Sequence, residues 1–174
     1  MLLPDYFSVT LPEQRPDSRF RQVGYLEGTR FIEKLNGAVN ASYRFHHDDW
    51  EVTAHTISLE WRQKVGNWLT LSPLVRYHYQ TAPDFYMTTV PGVPPEVVDF
   101  FPGAAVTPPY YSSDYRLSEL QTFTFGFNAT VLLWEHARIE LGYKRYIMEG
   151  LDGITSPAQY PSANVFSAGL SLWF

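Results

Sequence analysis

Apolar and polar residues alternate along most of the chain. In segment 123–131, FTFGFNATV, every odd position is apolar and every even position is polar or glycine. A strand places these two sets on opposite faces, whereas a helix would scatter them around its circumference. The same alternation recurs in segments 38–46, 52–61, 68–79, 137–144 and 164–174, and a less regular version covers 20–32. The pattern predicts an antiparallel meander of seven strands, or eight if 5–10 forms another, and no helix.

The connections between these strands differ in length at alternate positions. Short turns are predicted at 33–37, 64–67 and 133–136, and the connections between them span 47–51, 84–114 and 149–163. Bacterial outer-membrane barrels have short periplasmic turns and longer outer loops at alternate ends. Segments 84–114 and 149–163 fit that arrangement by length, while the short 47–51 connection fits it only by its place in the order.

Four tryptophans fall at the end of the sheet that carries the short turns. Trp61 and Trp68 flank one turn, Trp134 lies in another, and Trp173 is next to the C-terminus. Amphipathic rings favour the headgroup level of a bilayer, so this cluster is typical of an aromatic girdle. The alternative is that these large residues fill the core of a soluble β-sandwich or a lipocalin-like barrel.

The last strand carries apolar residues at alternate positions up to the end of the chain. These include Phe166, Leu170, Leu172 and Phe174. They resemble the C-terminal signal of outer-membrane proteins, which implies the barrel-assembly machinery as a partner. In lipid all backbone polar groups must be paired, so a sheet there has to close. We therefore expect an all-β fold: an antiparallel up-and-down transmembrane β-barrel with its apolar face toward outer-membrane lipid.

Composition removes several classes of function. The net charge is −5, from 13 Lys and Arg against 18 Asp and Glu, so nothing suggests a nucleic-acid partner. The absence of cysteine excludes disulfides and thiolate metal sites. The longest apolar run, 120–134, is shorter than the roughly 20 residues of a membrane helix, and the N-terminal segment lacks the pattern of a signal peptide.

Charged residues concentrate on the face opposite the apolar one. With the apolar face toward lipid, we expect the following residues to line the barrel interior: Arg44, His46, Glu60, Arg76, His78, Arg138, Glu140 and Lys144. Both signs are present, so the set favours neither cations nor anions. It predicts either an interior whose ions pair with one another or a pore whose charges select solutes.

The segment RFHHDDW at 44–50 contains four side chains of the kinds that bind metals. His46 and His47 point to opposite faces if both lie in a strand, and Asp48 and Asp49 suit a turn. The four therefore do not converge, and no spacing typical of a metal site supports a cation there. We expect no metal and no cofactor.

Lipid hydrolysis is a second chemistry that the outer rim of a barrel supports. His55 has outward parity near the outer end, where Ser112, Ser113 and Ser118 are also expected. No GxSxG or comparable nucleophile motif is present. We expect no catalytic residue and no enzyme activity.

The connection 84–114 is the longest in the chain. It contains six of the 13 prolines, several acids and many aromatic residues, with no Lys, Arg or His. Structureless loops of this length are usually functional or disordered, and the aromatics argue against disorder. We expect an extracellular loop that plugs the interior, caps the mouth or binds a partner, and whose negative charge repels anions.

Five segments carry a family resemblance: LPEQRPDSR (11–19), SYRFHHDDW (42–50), AHTISLEW (54–61), LSPLVRYHYQTAPDFY (71–86) and PYYSSDYRLS (109–118). They are similar to a proteobacterial outer-membrane family known as domain of unknown function 3570. The resemblance implies an outer-membrane fold, in Gram-negative bacteria, without a known activity. Members are longer and carry an export signal, so it also implies that residues 1–174 are one barrel domain forming a C-terminal portion. An odd count of strands agrees, because bacterial single-chain barrels use an even number.

These inferences lead to a functional expectation. The chain is expected to be a channel or uptake protein for an unknown solute. A structural barrel that binds another envelope protein is the first alternative. A lipid hydrolase and a soluble lipocalin-like barrel, with its apolar faces turned inward, are the others.

Overall fold

The computed structural model describes residues 10–100 and 103–173 as a single antiparallel sheet. Its strands are β1 (Arg21–Ile32), β2 (Gly37–Asp48), β3 (Thr53–Val65), β4 (Leu69–Gln80), β5 (Leu120–Trp134), β6 (Ala137–Gly150) and β7 (Ser162–Leu172). Each strand pairs with the next in chain order. The predicted meander of seven strands is confirmed, and the further strand considered at 5–10 falls, except for its last residue, outside the described residues.

The connections form two groups at opposite ends of the sheet. At one end β1–β2, β3–β4 and β5–β6 are joined by tight turns, in which Asn36 and Gly66 adopt positive φ angles of 47° and 60°. At the other end lie the 49–52, 81–119 and 151–161 connections. We call these the turn end and the loop end.

Helical structure is limited to four short 3-10 segments in the described residues. They are Glu33–Leu35, Pro95–Phe100, Tyr115–Leu117 and Pro157–Gln159. No helix in the described part of the chain has the length and apolar character needed to cross a membrane.

The register keeps the two alternating residue sets on separate faces. Tyr43 lies opposite Ile57 on the apolar face, while Thr56 lies between Arg44 and His78 on the polar face. The apolar face is uncovered, since its large side chains are exposed on every strand from β2 to β7. Such a surface ordinarily contacts lipid or a protein partner.

The sheet is open along its two edges. β1 pairs only with β2, and β7 only with β6, within the described residues. The expected closed barrel is therefore not formed by these seven strands alone. Closure needs β1 and β7 either to meet or to find further strands, and neither pairing is present.

Burial is concentrated at the loop end. Leu117, Leu120, Val52 and Ala54 are all buried, and Leu120 is only 1% exposed. Val52 and Ala54 belong to the polar parity of β3, and Leu120 lies opposite Gln80. The small core of the chain thus lies on the polar face, where the β4–β5 connection folds back onto the strands.

Candidate functional site

Asp48 organises the turn that follows β2. Its Oδ1 accepts hydrogen bonds from the backbone N–H groups of Trp50 and Val52, at 3.0 and 3.2 Å. Its Oδ2 accepts one from Arg19 Nε at 2.8 Å and lies 3.0 Å from His46 Nε2. A carboxylate has about four lone-pair sites, so this set of partners leaves Asp48 no free site for a metal ion.

Arg19 brings the N-terminal segment onto this turn. Its guanidinium lies 4.4 Å from the centre of the Trp50 ring, and Trp50 Nε1 donates a hydrogen bond of 3.0 Å to the Ser18 carbonyl. Phe85 packs edge-on against the same ring, with centroids 5.2 Å apart. A cation over an indole face is favourable by about 1 kcal/mol. Three chain segments that are distant in sequence therefore meet at Trp50.

The last part of the β4–β5 connection, residues 111–119, covers the polar face at the loop end. We call it the cap. Gln80 Nε2 donates hydrogen bonds to the carbonyls of Arg116 and Ser118, at 2.8 and 3.1 Å. Leu117 is buried against the sheet. The cap is thus held both by hydrogen bonds to β4 and by an apolar anchor.

Asp114 is the electrostatic centre of the cap. It pairs with Arg116 at 2.7 Å and with Arg15, from the N-terminal segment, at 3.1 Å. The hydrogen bonds from the Arg116 side chain, helped by the Arg116 N–H and by Arg15, hold the pKa of Asp114 at about 2 against the opposing effect of burial. The same pairing raises the pKa of Arg116 above its ordinary value. Both groups are therefore charged at any physiological pH.

The cap is also joined to the β6–β7 connection. Ser118 Oγ lies 2.7 Å from the Tyr160 hydroxyl, and the rings of Tyr115 and Tyr160 pack edge to face at 5.9 Å. The Tyr86 hydroxyl hydrogen-bonds Thr155, and burial raises the pKa of Tyr86. The loop end is consequently one packed unit that ties the β4–β5 connection to the β6–β7 connection.

A cavity of about 240 Å³ separates the cap from the polar face. It is lined by Arg19, Arg44, His46, Val52, Ala54, Thr56, His78, Gln80, Arg116 and Leu117. None of these residues is a carboxylate, although Asp48 lies directly behind Arg19 and His46. The Thr56 hydroxyl and His78 Nδ1 are 2.9 Å apart. The cavity wall is thus mostly basic and polar, with apolar contributions from Val52, Ala54 and Leu117.

The predicted interior residues separate into two groups on this face. Arg44, His46 and His78 come together in the cavity. The others lie on the same face toward the turn end: Glu60, Arg76, Arg138, Glu140 and Lys144. Most residues of this second group have an ion-pair or hydrogen-bond partner. Glu60 contacts Arg62, and Arg138 lies 3.2 Å from Glu140. Arg76 Nε donates a hydrogen bond of 2.9 Å to Ser58 Oγ.

Two cavity arginines were not among the predicted interior residues. Arg19 and Arg116 lie outside the strands, so the alternation of residues carries no information about them. Their signal in the sequence is indirect: both belong to the quoted segments LPEQRPDSR and PYYSSDYRLS, in which arginine is close to Asp.

Residues 3–169 match the family described as "Protein of unknown function (DUF3570)". The chain belongs to this family. Neither a curated protein nor a solved structure matches the chain. Membership confirms the resemblance carried by the five segments, and it brings no activity with it.

The four tryptophans assigned to an aromatic girdle and the described residues of the C-terminal signal lie outside the cavity. Trp68, Trp134 and Trp173 are exposed at the turn end, where Trp61 is partly covered and donates a 3.2 Å hydrogen bond to Gln63. Of the residues assigned to an assembly signal, Phe166, Leu170 and Leu172 are exposed on the apolar face, and Phe174 lies outside the described residues.

Three of the residues considered for lipid hydrolysis, His55, Ser112 and Ser118, have other contacts. His55 Nδ1 lies 2.7 Å from the Tyr43 hydroxyl, on the apolar face. Ser118 Oγ donates to the Tyr115 carbonyl at 2.6 Å, and Ser112 Oγ accepts from the Asp114 N–H. Within the described ranges, no group of three His, Asp or Glu side chains is arranged to hold a metal ion.

Proposed function

We propose that this chain forms part of a bacterial outer-membrane β-barrel whose polar face lines a path for a small solute. The observation that carries the proposal is the pairing of an uncovered apolar face with a charged, partly capped opposite face. Lipid is a suitable environment for the first face and water for the second. Strands of 11 to 15 residues are also long enough for the roughly 9–11 that a tilted membrane strand needs.

The two ends of the sheet support an orientation. Short turns and exposed tryptophans share one end, which suits the periplasmic interface. The long connections and the cap share the other, which suits the extracellular side. On this proposal the 84–114 loop is extracellular, and outer-membrane lipid and the barrel-assembly machinery are the chain's partners.

We propose that strands beyond the seven close the barrel. Exposed backbone groups along β1 and β7 have to be paired inside a bilayer. We expect further strands, or a second copy of the chain, to complete the wall. The chain folded alone in detergent micelles should therefore form an oligomer or fail to close. A monomer that changes gel mobility on heating, as a closed barrel does, would refute this part of the proposal.

A pair of neighbouring substitutions tests which face contacts lipid. Phe127 and Asn128 are adjacent in the middle of β5 and lie on the apolar and polar faces. Phe127→Arg should destabilise folding into phospholipid vesicles by about 2–4 kcal/mol, the cost of a cation on a lipid face, and Asn128→Arg much less. Equal effects, or folding of the wild-type chain in water without lipid or detergent, would favour a soluble barrel.

Transport itself is tested by conductance. The wild-type chain, closed as an oligomer in planar bilayers, should give discrete current steps. An absence of current from closed oligomers that have inserted, judged by protease protection, would overturn the transport role.

A structural, partner-binding envelope barrel is the second candidate. It is favoured by the cap, because Leu117 and the Gln80 hydrogen bonds occupy part of the polar face. A closed barrel that inserts but conducts no ions would support this reading over transport.

A further inference from the structure

Charge is distributed unevenly over the polar face. Toward the turn end the ions largely pair, as in Arg138–Glu140 and Glu60–Arg62. Three guanidiniums line the cavity, those of Arg19, Arg44 and Arg116, and two of them pair with the carboxylates of Asp48 and Asp114. The cavity region therefore carries net positive charge in a protein whose total charge is −5.

Arg44 is the source of that excess. Arg19 bonds Asp48, and Arg116 bonds Asp114, so both are neutralised by a direct partner. Arg44 has no hydrogen-bond or ion-pair partner among the described residues, and its side chain lines the cavity.

Glu27, the carboxylate on the adjacent row, does not form an ion pair with Arg44. It lies opposite Ser42, one step along the same face, and accepts hydrogen bonds from Asn40 at 2.8 Å and from the Tyr25 hydroxyl at 2.9 Å. Arg76 lies on the same row as Ser42 and balances the charge of Glu27. The surroundings of Arg44 thus favour an external anion.

We propose that this cavity binds a small organic anion through its carboxylate or phosphate oxygens, with Arg44 as the principal contact. This inference rests on the proposed function and names the substrate class of the path. A guanidinium forms two parallel hydrogen bonds with such an oxyanion. Thr56 and His78, hydrogen-bonded to each other at 2.9 Å, are further polar groups around it.

The size and the apolar lining residues of the cavity favour an organic anion. A water molecule occupies roughly 30 Å³ in the liquid, so a cavity of about 240 Å³ has room for a solute of several heavy atoms. Leu117, Val52 and Ala54 offer apolar contact to a carbon skeleton, which an inorganic ion does not use.

The binding test uses the full chain folded in detergent micelles. Isothermal titration calorimetry with succinate, inorganic phosphate and tetramethylammonium chloride separates the classes. We expect succinate to bind, phosphate to bind more weakly, and the cation not to bind. Phosphate binding better than succinate would overturn the organic assignment, and no anion binding at millimolar concentration would overturn the site.

Two matched substitutions locate the contact. Arg44→Gln should weaken succinate binding about tenfold, and this loss should shrink as salt is raised. Arg138→Gln, the same change on the same face but paired with Glu140 at the turn end, should leave affinity unchanged. Equal affinities of the two variants would refute the role of Arg44.

Failure of the anion site and failure of the transport role give different experimental results. Succinate binding without bilayer conductance would retain the anion site and reject the transport role. Conductance without succinate binding would retain transport and reject the anion site.

Discussion

Neutralising Asp114 should loosen the cap without unfolding the sheet. The Asp114→Asn substitution removes the charge that pairs with Arg116 and Arg15 but retains a side-chain oxygen. That oxygen can still accept the Arg116 N–H, now bonded at 3.0 Å, because Asn caps about as well as Asp. The substitution therefore isolates the charge from the hydrogen bond.

The contribution of the Asp114 charge to cap closure follows from the pKa of its carboxyl group. Its pKa falls from an ordinary value of 3.8 to about 2. One pH unit corresponds to about 1.4 kcal/mol, so the charge contributes about 2 kcal/mol to cap closure. The Asp114 side chain is only 10% exposed, but its main partner Arg116 is 70% exposed, so solvent screening makes this figure an upper bound. Opening of the cap should become up to about 30-fold more frequent in the variant.

Hydrogen exchange at the cap measures this opening. The N–H groups of Leu117 and Ser118 bond the Asp114 and Tyr115 carbonyls, and both should exchange up to about 30-fold faster in Asp114→Asn. Amides in the strands should be unaffected. Glu96→Gln, an exposed change in the same connection, is the control.

The pH dependence provides a second check with a defined sign. A carboxyl with a lowered pKa stabilises the folded form above its ordinary value, and the stabilisation is lost as pH falls from about 4 toward 2. Wild-type protection should decline in that window, after correction for intrinsic exchange, and the decline should be smaller in Asp114→Asn. Parallel declines, or equal exchange in the two variants at neutral pH, would refute the reasoning.

Three further predictions concern packing and the long connection. Leu120→Ala should lower the free energy of unfolding in detergent by about 3 kcal/mol, since it empties a fully buried position; Leu170→Ala, at an exposed position, should cost distinctly less in the same urea titration. Gly37→Ala should destabilise the turn end by about 1–3 kcal/mol and shift tryptophan fluorescence, because the added Cβ overlaps the Trp61 ring; an unchanged spectrum and midpoint would contradict this. Deleting 90–108 should change conductance while assembly proceeds, because the base of the connection stays bonded through Phe85 and Ser112; unchanged permeability of liposomes would exclude a gating role.

The strands were predictable because alternation is a local signal. Segments such as FTFGFNATV contain the period and the facing residues within a few positions, and the register then preserves both faces. β1 was harder to predict because its alternation is irregular. Val23 and Tyr25 lie on the polar face of the sheet, and Gly24 and Gly28 lie on the apolar face. Its position as an edge strand leaves these exceptions exposed rather than buried.

The cap and its cavity were not predictable from alternation. The contacts that form them join distant positions: Arg15 and Asp114 are 99 residues apart, and Gln80 and Ser118 are 38 apart. No periodicity links such pairs. The acids of the 84–114 segment suggested a mouth that repels anions, yet its one acid at the cap is neutralised by two arginines. The charge of a segment therefore did not predict the charge of the cavity beneath it.

The ligand-type residues of RFHHDDW illustrate why composition misleads at this site. His47 Nδ1 lies 3.1 Å from Thr53 Oγ1, and Asp49 accepts the Phe20 N–H at 3.0 Å. Together with the contacts of Asp48, these bonds satisfy groups that a tight turn would otherwise leave unpaired. The segment thus holds the N-terminal arm and the β2–β3 turn in place. Because Arg19 and His46 are held by Asp48, Arg44 is left without an ionic partner among the described residues that line the cavity. On the proposed anion site, this structural turn would directly affect what the polar face binds.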